Sequence, residues 1–395
     1  MSFATLALIV LVGLLGPLLA ARGLWNIPVV IGELLGGLLI GASGFHLVDS
    51  TEPSFALLAS IGFGLTMFVV GSRVPVRDAA VRGALRRSAI GAVTVGLVAA
   101  VLAVLLSSVF HTGHAALYGV IIASSSAALV LPIIASLGMS GPDVLQLTVQ
   151  VALADAVCIV ALPLAIDPAN AGRAALGAAA IAVCSVAIYL VLRIAERRGL
   201  RQRLHRFSEK RRFALELRIN LLLLFALAAV AVVTHVSVLL AGFALGLVVG
   251  AIGEPHRLAR QLFGITEGFF GPVFFVWLGA SIDLKNLGLH PSMILLGLCL
   301  GIAGVVAHLA ARASGLPWLL AVTSAGQLGV PVAAAALGVQ LHLLKPGENA
   351  ALLLGALITV AATTIAASIY ARRSATYSPG SPGSPRRATG QASGA

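Results

Sequence analysis

Apolar runs about as long as a bilayer is thick follow one another along nearly all of this 395-residue chain. A helix needs about 20 predominantly apolar residues to cross the hydrocarbon core. Thirteen runs meet or approach that length: Phe3–Ala21, Ile27–Phe45, Phe55–Gly71, Ser88–Phe110, Ala115–Leu137, Val144–Leu164, Ala174–Ile194, Leu217–Thr234, Val236–Ile252, Phe263–Ser281, Ser292–Ala311, Trp318–Leu341 and Ala350–Ala371. Lipid offers the backbone no hydrogen bonds, so runs this long must satisfy their own as helices. The chain is therefore expected to be an all-α polytopic membrane protein with about 13 transmembrane helices. Only 10% of its residues are charged, against about a quarter in a soluble domain. The opening MSFATLALIV has no basic stretch before it and is read as the first membrane helix, not a cleaved signal.

Charge then sets the topology. The net charge of +12 would suggest nucleic acid in a soluble protein, but here the basic residues lie between apolar runs without interleaved aromatics, so no nucleic-acid partner is expected. Ten Lys/Arg crowd the stretch from Arg193 to Arg218. Alternating sides through thirteen spans places 23 of the 26 Lys/Arg on one side and only Arg173, Lys285 and Lys345 on the other. Cytoplasmic loops carry the basic excess, so the N-terminus is expected outside, the C-terminus in the cytoplasm, and the protein in the cell membrane. The expected organisation is one transmembrane domain over 1–371, with halves 1–195 and 217–371. A basic cytoplasmic linker (196–216) joins the halves, and a disordered Ser/Gly/Pro/Arg-rich tail (372–395) follows.

Several chemistries have no support. Cys158, Cys184 and Cys299 each lie inside an apolar run and read as packing residues. There is no CxxC or His cluster, and no GxSxG, HExxH or Walker A pattern. No cofactor, no resident metal and no enzyme activity are expected.

Two runs are related. ALYGVIIASSSAALVLPIIASLG and WLLAVTSAGQLGVPVAAAALG each carry a small polar cluster near the middle and a proline a few residues on. The clusters are Ser124, Ser125 and Ser126 before Pro132, and Ser324, Gly326 and Gln327 before Pro331. The two runs lie seven spans apart and cross in opposite directions. That is the pattern of inverted repeats with two broken helices crossing at the midplane, where transporters place their binding site.

Between them in sequence, VLQLTVQVALADAVCIVALP holds one carboxylate, Asp155, near its centre. A charge there costs at least about 2.5 kcal/mol, so an intramembrane acid is a functional residue by default. Its helical neighbours Val151 and Cys158 cannot pair with it. A proton or a small cation could neutralise it, with the serine hydroxyls and unwound carbonyls as hard oxygen ligands. The alternative is an acid buried only for helix packing. Glu33, among the small residues Gly32, Gly36, Gly37 and Gly41, reads as part of a tight helix contact or as a gate. Glu267 is a further accessory candidate. His308 and Arg312 read as interfacial residues that snorkel toward water.

These segments resemble the cation:proton antiporter-2 family of bacterial monovalent cation:proton antiporters, which includes Na⁺/H⁺ exchangers and Kef-type potassium efflux systems. IPVVIGELLGGLLIGASGF, LLASIGFGLTMFVVG, IIASSSAALVLPII, FFGPVFFVWLGASIDL and SAGQLGVPVAAAALG are similar to its motifs, in the family's order. The resemblance implies a sodium/proton antiporter-like fold, a homodimer, and alternating access by elevator-like movement of a core beside a scaffold. It places the ion-binding acid at Asp155 and the broken-helix polar residues at Ser124, Ser125 and Ser126. Three positions depart from the family. Ala154 stands where an acidic or amide residue usually precedes the acid, Gln327 stands where a glutamate is usual, and no lysine occurs in the eleventh span. One charge is thus expected at the crossing. The implied activity is exchange of protons for Na⁺ or K⁺, electroneutral with a single titrating carboxylate, and serving pH homeostasis. A Kef-like channel or uniporter and a transport-inactive member of the fold are the alternatives.

Overall fold

The computed structural model describes residues 1–21, 29–72, 79–167, 171–198, 214–234, 236–253, 256–282 and 288–376. The centre of the basic linker (199–213), the tail beyond 376, and Arg22, Arg73, Arg77, Glu254 and Lys285 lie outside the described residues.

Every regular element among the described residues is helical. The first half holds α1 (Phe3–Gly13), α2 (Leu15–Ala21), α3 (Val29–Ile40), α4 (Pro53–Ser72), α5 (Ala79–Val109), α6 (Ala115–Ala123), α7 (Ala127–Ser136), α8 (Pro142–Ile166) and α9 (Ala171–Arg197). The second holds α10 (Leu215–Val233), α11 (Val238–Ile252), α12 (His256–Ile265), a π turn (Thr266–Phe270), α13 (Gly271–Ser281), α14 (Pro291–Leu309), a 3₁₀ turn (Ala310–Ser314), α15 (Trp318–Thr323), α16 (Gly329–Gln340) and α17 (Glu348–Thr376). Ten helical stretches are long and apolar enough to cross a membrane, and α3 and α11 are shorter apolar helices. The remaining run, twelfth in chain order, is the interrupted pair α15–α16. Each run read from the sequence thus holds a helix or a broken pair. The division between the eighth and ninth spans, with only His235 between them in the sequence, falls between Val233 and Val238.

The helices pack into two groups. In one, α3 and α4 lie against α13, α4 lies against α11, and α9 and α10 close round α11. The other is built from α5, α6, α8, α14, α15 and α17, with α7 and α16 against α8 and α17. This second group takes corresponding spans from each half of the chain, as an inverted repeat requires.

Glycines make the first group possible. A Cβ added at Gly242 would stand 2.3 Å from the Gly64 carbonyl oxygen, and one at Gly246 would stand 2.3 Å from that of Phe68. On the other seam, a Cβ at Gly37 would be 2.1 Å from the Val276 carbonyl oxygen and one at Gly41 would be 2.2 Å from the Ala280 Cα. Here α4 meets α11, and α3 meets α13, backbone to backbone, as small residues allow in membranes. The tight contact expected of Gly37 and Gly41 is present.

Side-chain bonds tie loops that thirteen alternating spans place on one face. The Lys345 ammonium donates to the His111 carbonyl, and Trp277 Nε1 donates to the Ser50 carbonyl at 2.8 Å. At the opposite face the Gln146 amide donates to Ser314 Oγ at 2.9 Å.

Overpacking the α4–α11 seam costs about 1–3 kcal/mol or more. Gly246→Val is expected to lower the melting temperature of the purified protein in detergent, whereas Gly96→Ala, where an added Cβ meets nothing within 4 Å, leaves it unchanged or higher.

Candidate functional site

The two polar clusters interrupt their helices. Helix α6 ends at Ala123, Ser124 (φ −72°, ψ 144°) and Ser126 (φ −108°, ψ 108°) are extended, and α7 begins at Ala127. Residues 324–328 separate α15 from α16 in the same way. Pro331 lies in the first turn of α16, where a missing N–H is tolerated; Pro132 sits inside α7.

Unwound backbone inside a membrane needs partners, and the breaks supply them to each other. The Ser126 N–H donates to the Gly326 carbonyl at 2.7 Å. Ser125 Oγ donates to the Ser324 carbonyl at 2.6 Å. Gln327 Nε2 donates to the Ile122 carbonyl, and the Gln327 N–H donates to Thr359 Oγ1, both at 3.2 Å. Thr363, one turn along α17, reaches the Val322 and Thr323 carbonyls at 3.4 and 3.3 Å. Ser124, Ser125, Ser126, Ser324 and Gln327 are all buried.

Asp155 faces this crossing from α8. It is 1% exposed, and its Oδ2 accepts the Ala127 N–H at 2.8 Å. Ala127 is the first residue of α7, so the carboxylate sits at the positive end of that helix, where unsatisfied N–H groups and the aligned peptide dipoles favour an anion. Beside it, Ser126 Oγ is buried without a hydrogen-bond partner. Ser124 Oγ donates to the Ile121 carbonyl at 2.7 Å, which leaves its lone pairs free. No group of three or more His, Cys, Asp and Glu that could hold a metal occurs among the described residues.

His308 requires a correction. It was expected to snorkel at the interface, but it is 1% exposed. Its Nε2 lies 3.2 Å from Ser125 Oγ and its Nδ1 lies 2.8 Å from the Gly304 carbonyl oxygen. The reason is that α14 continues into the 3₁₀ turn, so the span reaches Ser314 and His308 falls deeper than hydropathy alone suggests. Arg312 is exposed as expected. The eleventh span has no lysine, but it does bring a second titratable side chain to the crossing.

The accessory candidates come together elsewhere. Glu33 on α3 is buried, and Glu267 in the π turn lies within electrostatic reach of it, in the group of α3, α4 and α13. Sequence reasoning also missed a buried cluster at the other end of α6. There Glu348, fully buried, accepts from Tyr118 OH at 2.6 Å and from the Lys345 N–H at 2.8 Å, and pairs with His114 Nδ1 at 2.7 Å. The face formed by Thr359 and Thr363, four residues apart on α17, was the one available signal for the third helix of the crossing.

An all-helical membrane fold whose two broken helices cross beside a buried carboxylate is the architecture of inverted-repeat transporters. The model of the sodium/hydrogen exchanger transmembrane family matches residues 7–373, and the chain belongs to that family. A Bacillus subtilis protein named "Putative Na(+)/H(+) antiporter YjbQ" is 26% identical over 396 residues, covering 92% of this chain. This chain spans 62% of that relative's length. The sodium proton antiporter MjNhaP1 of Methanocaldococcus jannaschii, in its structure at pH 8, has the same fold at 17% identity, with a TM-score of 0.66 over 94% of this chain and 96% of that one. A second MjNhaP1 structure, an electron-microscopy map, gives 0.64 at 18% identity over 96% of this chain and all of the other.

Removing the Tyr118 hydroxyl takes one donor from a buried carboxylate, at a cost of about 1–3 kcal/mol. Tyr118→Phe is expected to lower the melting temperature, and an unchanged value would show that Glu348 does not depend on it.

Proposed function

We propose that this chain exchanges protons for a monovalent cation, Na⁺ or K⁺, across the cell membrane by alternating access. The observation that carries the reading is Asp155, a lone buried carboxylate at the N-terminus of α7, with the orphaned Ser126 Oγ beside it. A carboxylate in that place is neutralised either by a proton or by a cation held with nearby oxygens, and the two exclude each other. Competition for one site is the simplest coupling of two opposed fluxes. Asp155 is the ion- and proton-binding acid. Ser124, Ser125 and Ser126 offer oxygens to the cation, and Gln327 holds the two breaks in register. Glu33 and Glu267 are accessory groups of the other helix group.

One carboxylate exchanging one proton for one monovalent cation gives electroneutral transport. The packing into two groups supports an elevator-like movement in which the group carrying Asp155 shifts against the glycine-seamed one. The exchanger domain is 1–371, with the N-terminus outside and the C-terminus cytoplasmic, a reading supported by the 23-to-3 division of Lys/Arg. A homodimer completes the proposal, with the bilayer as the other partner.

Proteoliposomes loaded with a pH-sensitive dye, challenged with Na⁺, K⁺ and Li⁺ in turn, test this. Cation-driven proton movement is expected for at least one ion and is expected to be lost in Asp155→Asn. A mutant that exchanges at the normal rate would remove Asp155 from the reaction. Cation flux that ignores an opposing proton gradient would make the protein a channel or uniporter, and exchange that builds a membrane potential would rule out the electroneutral stoichiometry.

A further inference from the structure

The crossing contains one hydrogen with two claimants. Ser125 has a single hydroxyl hydrogen. It lies 2.6 Å from the Ser324 carbonyl oxygen, which can only accept, and 3.2 Å from His308 Nε2. His308 Nδ1 lies 2.8 Å from the Gly304 carbonyl oxygen. That oxygen also only accepts, so Nδ1 carries a proton. In the neutral imidazole Nε2 then has none, since only one ring nitrogen is protonated. Two acceptors, Nε2 and the Ser324 oxygen, compete for the Ser125 hydrogen. A proton on Nε2 ends the competition: Nε2 donates to Ser125 Oγ, and the Ser125 hydrogen stays on Ser324. Every polar atom of the set is then satisfied.

Ser125 and Ser324 belong to the two different breaks. Their bond is one of the direct ties between α6–α7 and α15–α16, beside the Ser126–Gly326 backbone bond. We propose that His308 is a positioning residue that binds a proton of its own and thereby decides which acceptor the Ser125 hydroxyl serves, so that the tie between the breaks is set by protonation. This deepens the antiport reading and rests on it. Asp155 holds the break at Ala127 and His308 holds it at Ser125, two residues apart on opposite partners.

The other titratable and charged groups on the packed elements lie toward the helix ends. Tyr118 on α6 and Glu348 on α17 form the cluster at the far end, while α15 has none. Arg86 and Arg87 on α5, Arg312 in the 3₁₀ turn, and Tyr370, Arg372 and Arg373 on α17 lie toward the basic face. The hydrogen bonds of His308 itself go to Ser125 and Gly304. Loss of its Nε2 proton turns the Ser125 hydrogen away from Ser324 and loosens the crossing; gain of the proton fastens it.

The test uses the full chain in the Asp155→Asn background, which silences the carboxylate. Hydrogen–deuterium exchange of the segments 124–127 and 324–328 is followed from about pH 3 to 8, a window that extends below the range in which exposed histidines titrate, after correction for intrinsic rates. Exchange is expected to rise with pH in Asp155→Asn and to lose that response in the double variant with His308→Gln. A flat response in Asp155→Asn overturns the proposal without needing the second substitution to fold, and so does a response that survives His308→Gln. In otherwise unaltered protein, His308→Gln is expected to keep exchanging ions while losing one limb of the pH profile; an unchanged profile overturns the proposal. Full activity of Asp155→Asn would sink the antiport site reading alone, leaving the deuterium-exchange result to stand or fall by itself.

Discussion

Backbone groups inside a bilayer must find partners within the protein, and this structure deliberately frees several of them at mid-helix. The Ser126 N–H on the Gly326 carbonyl is the bond that makes this affordable. Each interruption is the other's solvent. The side chains of Gln327, Thr359 and Thr363 extend the same service to the neighbouring carbonyls and N–H groups. A helix broken alone would leave polar groups in hydrocarbon at several kcal/mol each. Broken in pairs and crossed, the two helices open a polar patch deep in the protein while bonding several of the freed groups to each other. Among the described side chains of this patch, Ser126 Oγ is buried without a partner.

The electrostatics follow from that geometry. An interruption creates a new helix start, and a new helix start is an anion site without any cationic side chain. Asp155 takes that place through Ala127. The chain has Ala154 where an acidic or amide residue is usual before the acid, Gln327 where a glutamate is usual, and no lysine in α14. The positive end of α7 supplies part of what the absent lysine would supply, and His308 meets the same break at Ser125.

Much of this was legible in the sequence. Apolar length alone located the thirteen spans, because a membrane helix has few other ways to be written. Matched serine and glycine clusters seven spans apart located the breaks, and the isolated charge located Asp155. The errors have physical causes. His308 was misread because a 3₁₀ extension moved the helix end, and hydropathy windows do not register such turns. Glu348 went unnoticed because it stands just before the last apolar run, and its partners His114 and Tyr118 lie more than 200 positions away. Gly242 and Gly246 were ordinary membrane glycines until the structure showed whose carbonyls they touch.

The bond from Ser125 to Ser324 spans 199 positions, which bears on how the protein comes into being. During synthesis the first interrupted helix enters the membrane long before its counterpart exists. For that interval its three unwound residues have nothing to bond but water drawn inward or themselves. A continuous helix through residues 115–136 is the least costly form for such an intermediate. The bonds to Gly326 and Ser324 that hold Ser125 and Ser126 can form only when α15 and α16 arrive. On this view the polar crossing forms only after α16 has been made, from two interrupted helices neither of which forms it alone.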